Sequence, residues 1–138
     1  MSTAQSTPDP QRPHGLRALV IPPTGAATIE ELPLGPIQAA HRVSELVGGH
    51  LEVIATAGSD WLAYINEEGI RQGLRFNPHG DAIARSLGYG FMHGDYLKGT
   101  AVYLGRDGTM EQDVPDCVMV LAYAAGIVPA PAASTEAG

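Results

Sequence analysis

Cysteine is nearly absent from this 138-residue chain. The one thiol, Cys117, cannot close an internal disulfide and has no CxxC neighbour. That excludes a disulfide scaffold and a cysteine-built zinc site, and it suits a reducing cytoplasm. Long apolar runs are lacking as well. None approaches the roughly 20 residues a membrane helix needs. The first 15 residues carry no apolar core of a secretory signal. Positive charge is scarce, with 8 basic residues against 15 acidic ones and a net charge of −7. Such a surface repels a phosphate backbone and disfavours sequence-independent nucleic-acid binding. No glycine-rich phosphate loop follows a strand, no two histidines stand four apart, and no internal repeat is present.

Apolar residues, by contrast, make up 44% of the chain, enough for a packed core in one domain. Residues 1–14 and 129–138 are rich in Ser, Thr, Ala and Pro without apolar periodicity, and they read as disordered tails flanking a folded unit over 15–128. Within it, Leu16 to Ile21 reads as a buried strand stopped by Pro22-Pro23, and Thr28 to Leu32 as its returning partner. Gly35-Pro36 opens a helix whose Ile37, Ala40, Val43 and Val47 recur at helical spacing, and Gly48-Gly49 ends it. Leu51 to Ile54 and Trp61 to Ile65 read as strands, with the Trp61 indole buried. Ile70 to Leu74 reads as a short returning strand after the Asn66-Glu67-Glu68-Gly69 turn. Asn77-Pro78 starts a second helix, with Ala82, Ile83 and Leu87 inward and Gly88 at its end. Lys98 to Leu104 reads as a strand closed by Gly105-Arg106-Asp107-Gly108. Asp113 to Ala125 reads as a last helix with Pro115 in its first turn. Strands in hairpins interrupted by helices predict an α+β fold: a mostly antiparallel sheet with about three helices packed on one face.

Few residues stand out for chemistry. Glu67 and Glu68 are adjacent carboxylates, but neighbours in a turn diverge into solvent. His14, His41, His50, His79 and His93 are scattered, so no metal site is predicted. Cys117 at a helix start invites a reactive thiol. Its place near the Val114, Val118, Leu121 and Ala122 stripe reads better as a packed cysteine. The best ligand-binding candidates are Arg75, Asn77 and His79 at a helix N-terminus, which attracts anions. Tyr89 and Tyr96 flank them on an aromatic, glycine-rich loop with Phe91 and His93. The plainer reading makes Asn77 a helix cap, in which case Asn77→Ser is silent and Asn77→Ala costs about 1 kcal/mol.

Several stretches taken together resemble one family. They are Ala18-Leu19-Val20-Ile21-Pro22-Pro23, then Leu46 to Ile54, then Asn66-Glu67-Glu68-Gly69 with Gly73-Leu74 and Asn77-Pro78, then Gly94-Asp95 before Gly99-Thr100-Ala101-Val102 and Leu104-Gly105. In order and spacing they are similar to domain-of-unknown-function family 3846, across nearly all of the folded unit. Arg75-Phe76 departs from the pattern, which has a bulky apolar residue or proline before the asparagine. The resemblance implies a small cytoplasmic protein of a bacterial host, encoded by a phage or an actinobacterial mobile element, and it brings no catalytic residues and no cofactor. Two functions follow as expectations. The first is a non-catalytic accessory protein that binds a host or phage protein, for example to inhibit a host defence. The second is a small-molecule or nucleotide module that takes an anionic ligand through Arg75, Asn77 and His79.

Overall fold

The computed structural model describes residues 15–92 and 94–129. The expected tails, apart from Pro129, lie outside the described residues, as do His14 and His93. Among the described residues six strands, Arg17–Ile21 (β1), Thr28–Glu31 (β2), Leu51–Ile54 (β3), Trp61–Asn66 (β4), Ala101–Asp107 (β5) and Met110–Gln112 (β6), form one antiparallel sheet. Its order is β2-β1-β5-β4-β3, with β6 also paired to β5. Three helices among the described residues accompany it: Pro36–Val47 (α1), Pro78–Ser86 (α2) and Asp116–Ala124 (α3). The fold is therefore α+β, as the pattern of elements predicts.

The three inner strands are buried in unbroken runs: Ala18 to Ile21, Trp61 to Ala63, and Ala101 to Gly105. Continuous burial means that both faces of the sheet are covered, whereas a half-exposed sheet alternates. On one face Leu19, Trp61, Ala63 and Tyr103 pack with Ile83 and Ala84 of α2 and Val118 and Ala122 of α3. On the other, Val20, Leu62, Val102 and Leu104 pack with Val43 and Val47 of α1. This corrects the expectation of helices on a single face. Each fully buried aliphatic side chain contributes about 1.5–3 kcal/mol, so a second covered face adds a second core. Trp61, 2% exposed, lies tilted against Tyr103 with ring centroids 5.9 Å apart. The Tyr103 hydroxyl donates to the Gly80 carbonyl at 2.7 Å and ties α2 to the sheet.

Several local expectations change. In α1 the inward residues are Val43 and Val47 with Ala39 and Leu46 beside them; Ile37 and Ala40 are exposed. Ile37 stands two residues before Ala39, about 200° round the helix at roughly 100° per residue, and so points away. In α2 Ala84 is buried where the spacing predicts Ala82. The last helix begins at Asp116, because Asp113 and Val114 are still engaged with β1: Asp113 Oδ1 accepts the Arg17 N–H at 2.8 Å, and the Val114 N–H donates to the Arg17 carbonyl at 2.9 Å. The strand expected over Lys98 to Leu104 starts three residues later and runs through Gly105 to Asp107. It then turns back into β6.

Candidate functional site

The chain leaves β4 at Asn66, whose side chain organises the turns after it. Its Oδ1 accepts the Glu68 N–H at 2.7 Å, and its Nδ2 donates to the Val47 carbonyl and to Gln72 Oε1, both at 3.2 Å. The Gln72 N–H donates to the Glu68 carbonyl and the Leu74 N–H to that of Gly69, each at 2.9 Å. Residues 70–74 are therefore stacked turns and not the strand predicted from their composition: the N–H groups of Gln72, Gly73 and Leu74 are taken within the turns and are not free for a ladder. This places Ile70, 70% exposed, at the rim of the sheet.

The segment before α2 meets the segment before β5. The Gly99 N–H donates to the Arg75 carbonyl at 2.8 Å, and Phe76 bridges to Lys98. Asp81 of α2, almost fully buried, accepts the Leu97 N–H at 3.0 Å through Oδ2 and the Arg85 Nε–H at 2.5 Å through Oδ1. Arg85 also donates to the Asp95 carbonyl at 3.1 Å. Asp81 and Arg85 thus fix the position of residues 95–97. Asp95 Oδ1 then accepts the Tyr96 N–H at 2.8 Å and Lys98 Nζ at 3.3 Å. The Lys98 ammonium lies 3.6 Å from the Tyr96 ring centroid, and Phe76 meets the same ring edge-on at 5.1 Å.

Three hollows adjoin this knot, the most open of them lined by Ile70, Met92, Gly94, Asp95, Tyr96 and Lys98. Another is a groove of about 330 Å³ walled by Glu52, Glu67, Glu68, Arg71, Asp95, Tyr96 and Lys98, with Ile65 also among its lining. The third is shallower than the groove and lined by Phe76, Asp81, Arg85, Gly94, Asp95 and Tyr96. Asp95 and Tyr96 belong to all three. The groove has four carboxylates against two cations, and those cations are engaged, Arg71 with Glu68 at 3.6 Å and Lys98 with Asp95. Burial, followed by the charges of Asp95 and Glu67, pushes the Glu52 carboxyl above its ordinary range. Around the hollows, Ile70, Met92, Phe76 and Tyr96 present large apolar surfaces to solvent.

The five predicted ligand-binding residues separate here. Tyr96 lines all three hollows. Tyr89 packs edge-on against Phe91 at 4.8 Å and lines none of them; burial, and then the charges of Glu52 and Asp95, push its phenol up. Asn77 is fully buried: Nδ2 donates to the carbonyls of Ile21 at 2.8 Å and Gly99 at 2.9 Å, and Oδ1 accepts the Gly80 N–H at 2.9 Å. Arg75 and His79 are exposed and line none of the three hollows. The first turn of α2 has little to offer an anion. Pro78 lacks an N–H, Gly80 and Asp81 donate to Asn77, and the Asp81 carboxylate lies in the same turn.

Glu52, Ile70, Met92 and Asp95 escape sequence reasoning. The available signal is a large apolar residue stranded in a polar turn, at Ile70, and another between glycines, at Met92. Cys117 also differs from expectation. It is exposed, with Sγ 3.6 Å from Asp60 Oδ1, and burial and the Asp60 charge push its thiol up, against the lowering a helix start would give. Among the described residues no cluster of three or more His, Cys, Asp or Glu could hold a metal ion, and no helix is long and apolar enough to cross a membrane.

The family model described as Domain of unknown function (DUF3846) matches residues 16–124, and the chain belongs to that family. No curated protein and no solved structure matches the chain.

Proposed function

We propose that the chain is a non-catalytic accessory protein of a phage or mobile element. It works in the cytoplasm of a bacterial host and binds a host or phage protein through the surface around Tyr96, for example to inhibit a host defence. One observation carries the reading: Ile70 (70% exposed), Met92 (80%), Phe76 (44%) and Tyr96 (42%) stand in solvent around hollows lined by charge. Contiguous apolar surface of this kind is costly to leave wet and marks interaction sites. Aromatic residues and methionine are enriched at protein interfaces, and here they flank a groove lined by charge. A nucleotide fits the groove poorly, since its carboxylates outnumber its cations and repel phosphate.

Affinity capture from bacterial lysate with the full chain tests this. A stoichiometric host or phage protein is expected, and it is lost with Ile70→Ser/Met92→Ser while the melting temperature stays within about 2 °C, since both side chains are already exposed. Undiminished capture by that variant would overturn the reading. So would the absence of a captured protein together with a melting shift against a nucleotide panel.

A further inference from the structure

The sheet has two outer strands, and they differ in how they end. On β2 the register turns the backbone groups of Ala27, Ile29 and Glu31 outward. The Ala27 N–H is taken by the Ile127 carbonyl at 3.0 Å, and Pro33 comes soon after, so part of that edge is already covered. On β3 the Glu67 N–H donates to the His50 carbonyl at 2.9 Å, which marks His50 and Glu67 as a hydrogen-bonded pair of the ladder. Alternation then makes Glu52–Ile65 and Ile54–Ala63 the next such pairs and turns the N–H and C=O of Leu51 and Val53 away from β4. No strand among the described residues pairs with that side, and Val53 is 51% exposed.

The free edge borders the groove. Glu52 and Ile65 are cross-strand partners and both line it. Among the described residues Glu52 and Glu67 have no cationic partner, whereas the groove's Arg71 and Lys98 already have carboxylates. An added strand would place alternate side chains on the groove face, about 6.6 Å apart, and that face favours positive charge.

Resting on the docking reading above, we infer that the partner contributes an extended basic segment that joins the sheet beside β3 and sends a Lys or Arg into the groove at Glu52. Backbone bonds to Leu51 and Val53 supply affinity, and the carboxylates select the charge, which is the division of labour in strand addition.

The probe is a synthetic octapeptide of alternating Lys and Val, titrated into the isotope-labelled full chain and followed by NMR. Shifts are expected at the Leu51 and Val53 amides, with no binding by the Glu-Val counterpart. Glu52→Gln is expected to weaken the Lys-Val peptide by about fivefold and Val53→Pro by about tenfold, as lost edge contacts translate into Kd. Val53→Pro removes an outward N–H and leaves the β4 ladder intact. Should that variant misfold, a Lys-Val peptide N-methylated at alternate residues blocks pairing from the other side, and it is expected not to bind. Three results would overturn the inference: no binding, shifts confined to Ile29 and Glu31 of β2, or unchanged affinity on blocking the edge. A protein captured by Val53→Pro but lost by Ile70→Ser/Met92→Ser would leave the docking reading standing and remove strand addition alone.

Discussion

Asn77 shows how much one buried side chain can hold. As a cap alone it would be interchangeable with serine. Its Nδ2, however, also satisfies the carbonyls of Ile21 at the end of β1 and Gly99 before β5, so one amide joins α2 to two segments of the sheet. The cap is legible because Asn-Pro is a local signal; the long-range bonds are not, because nothing local specifies which carbonyls lie opposite. Asn77→Ser therefore keeps the Gly80 contact and strands two carbonyls, at a cost of about 2 kcal/mol, and Asn77→Ala loses all three bonds, at about 3 kcal/mol. Denaturant melts check this, and a silent Asn77→Ser would return Asn77 to a simple cap. Glu52 is the converse case, a residue whose charge is unwelcome. Folding raises its pKa, so the stability it contributes is complete below the ordinary glutamate value and is lost as pH rises through the folded value. Glu52→Gln is expected to raise the melting temperature near about pH 7, with the gain vanishing near about pH 4, where the wild-type carboxyl is protonated. A gain that is the same at both pH values would rule out electrostatics as its source.

At the scale of elements, sequence is a good guide where punctuation is local. Gly35-Pro36 and Gly48 bound α1, and Asn77-Pro78 starts α2, as the sequence indicates. It misleads at β5 and β6, where Gly105 reads as the start of a turn. Gly105 instead lies inside β5 because two backbones pass over it: a Cβ there would come within 2.4 Å of the Asp113 carbonyl oxygen and 3.4 Å of that of Asp60. The turn lies further on, where Asp107 pairs with Met110 around Gly108-Thr109 and Gly108 takes φ +63°. Glycine with positive φ at the first central position is the mark of a type II′ hairpin. Strand glycines often signal close backbone approach, but no sequence rule says which of two nearby glycines is packed and which turns. Gly105→Ala should push the Asp113 segment off β5 and destabilise by about 2 kcal/mol, as overpacking does. Thermal melts would show it, and an unchanged melting temperature would mean that the passing backbone can retreat.

For the molecule as a whole, the order of hairpins and helices points to one covered face, whereas the strands themselves carry the signal for two. Ala18-Leu19-Val20-Ile21 and Ala101-Val102-Tyr103-Leu104 do not alternate, and such runs belong between two layers. What stays mostly hidden is the surface: a polar turn around Ile70 and flanking glycines around Met92 hint at exposure, but only the assembled sheet brings the two residues to one hollow. Charge is the surface property that sequence does report. At −7 the molecule would attract the basic partner proposed above before contact, and the carboxylates of the β3 groove would concentrate that attraction at one place. Long-range attraction of this kind acts on encounter and is screened beyond roughly 10 Å at 0.1 M salt, whereas apolar contacts at Ile70 and Met92 are not. Raising salt from about 50 to about 500 mM should therefore slow association of the captured partner by about tenfold and leave its dissociation nearly unchanged. Glu52→Gln should flatten that dependence, while Ile70→Ser should speed dissociation and leave the salt slope intact. Stopped-flow or surface-binding kinetics would separate the two contributions. An association rate indifferent to salt would mean that the acidic groove plays no part in drawing the partner in.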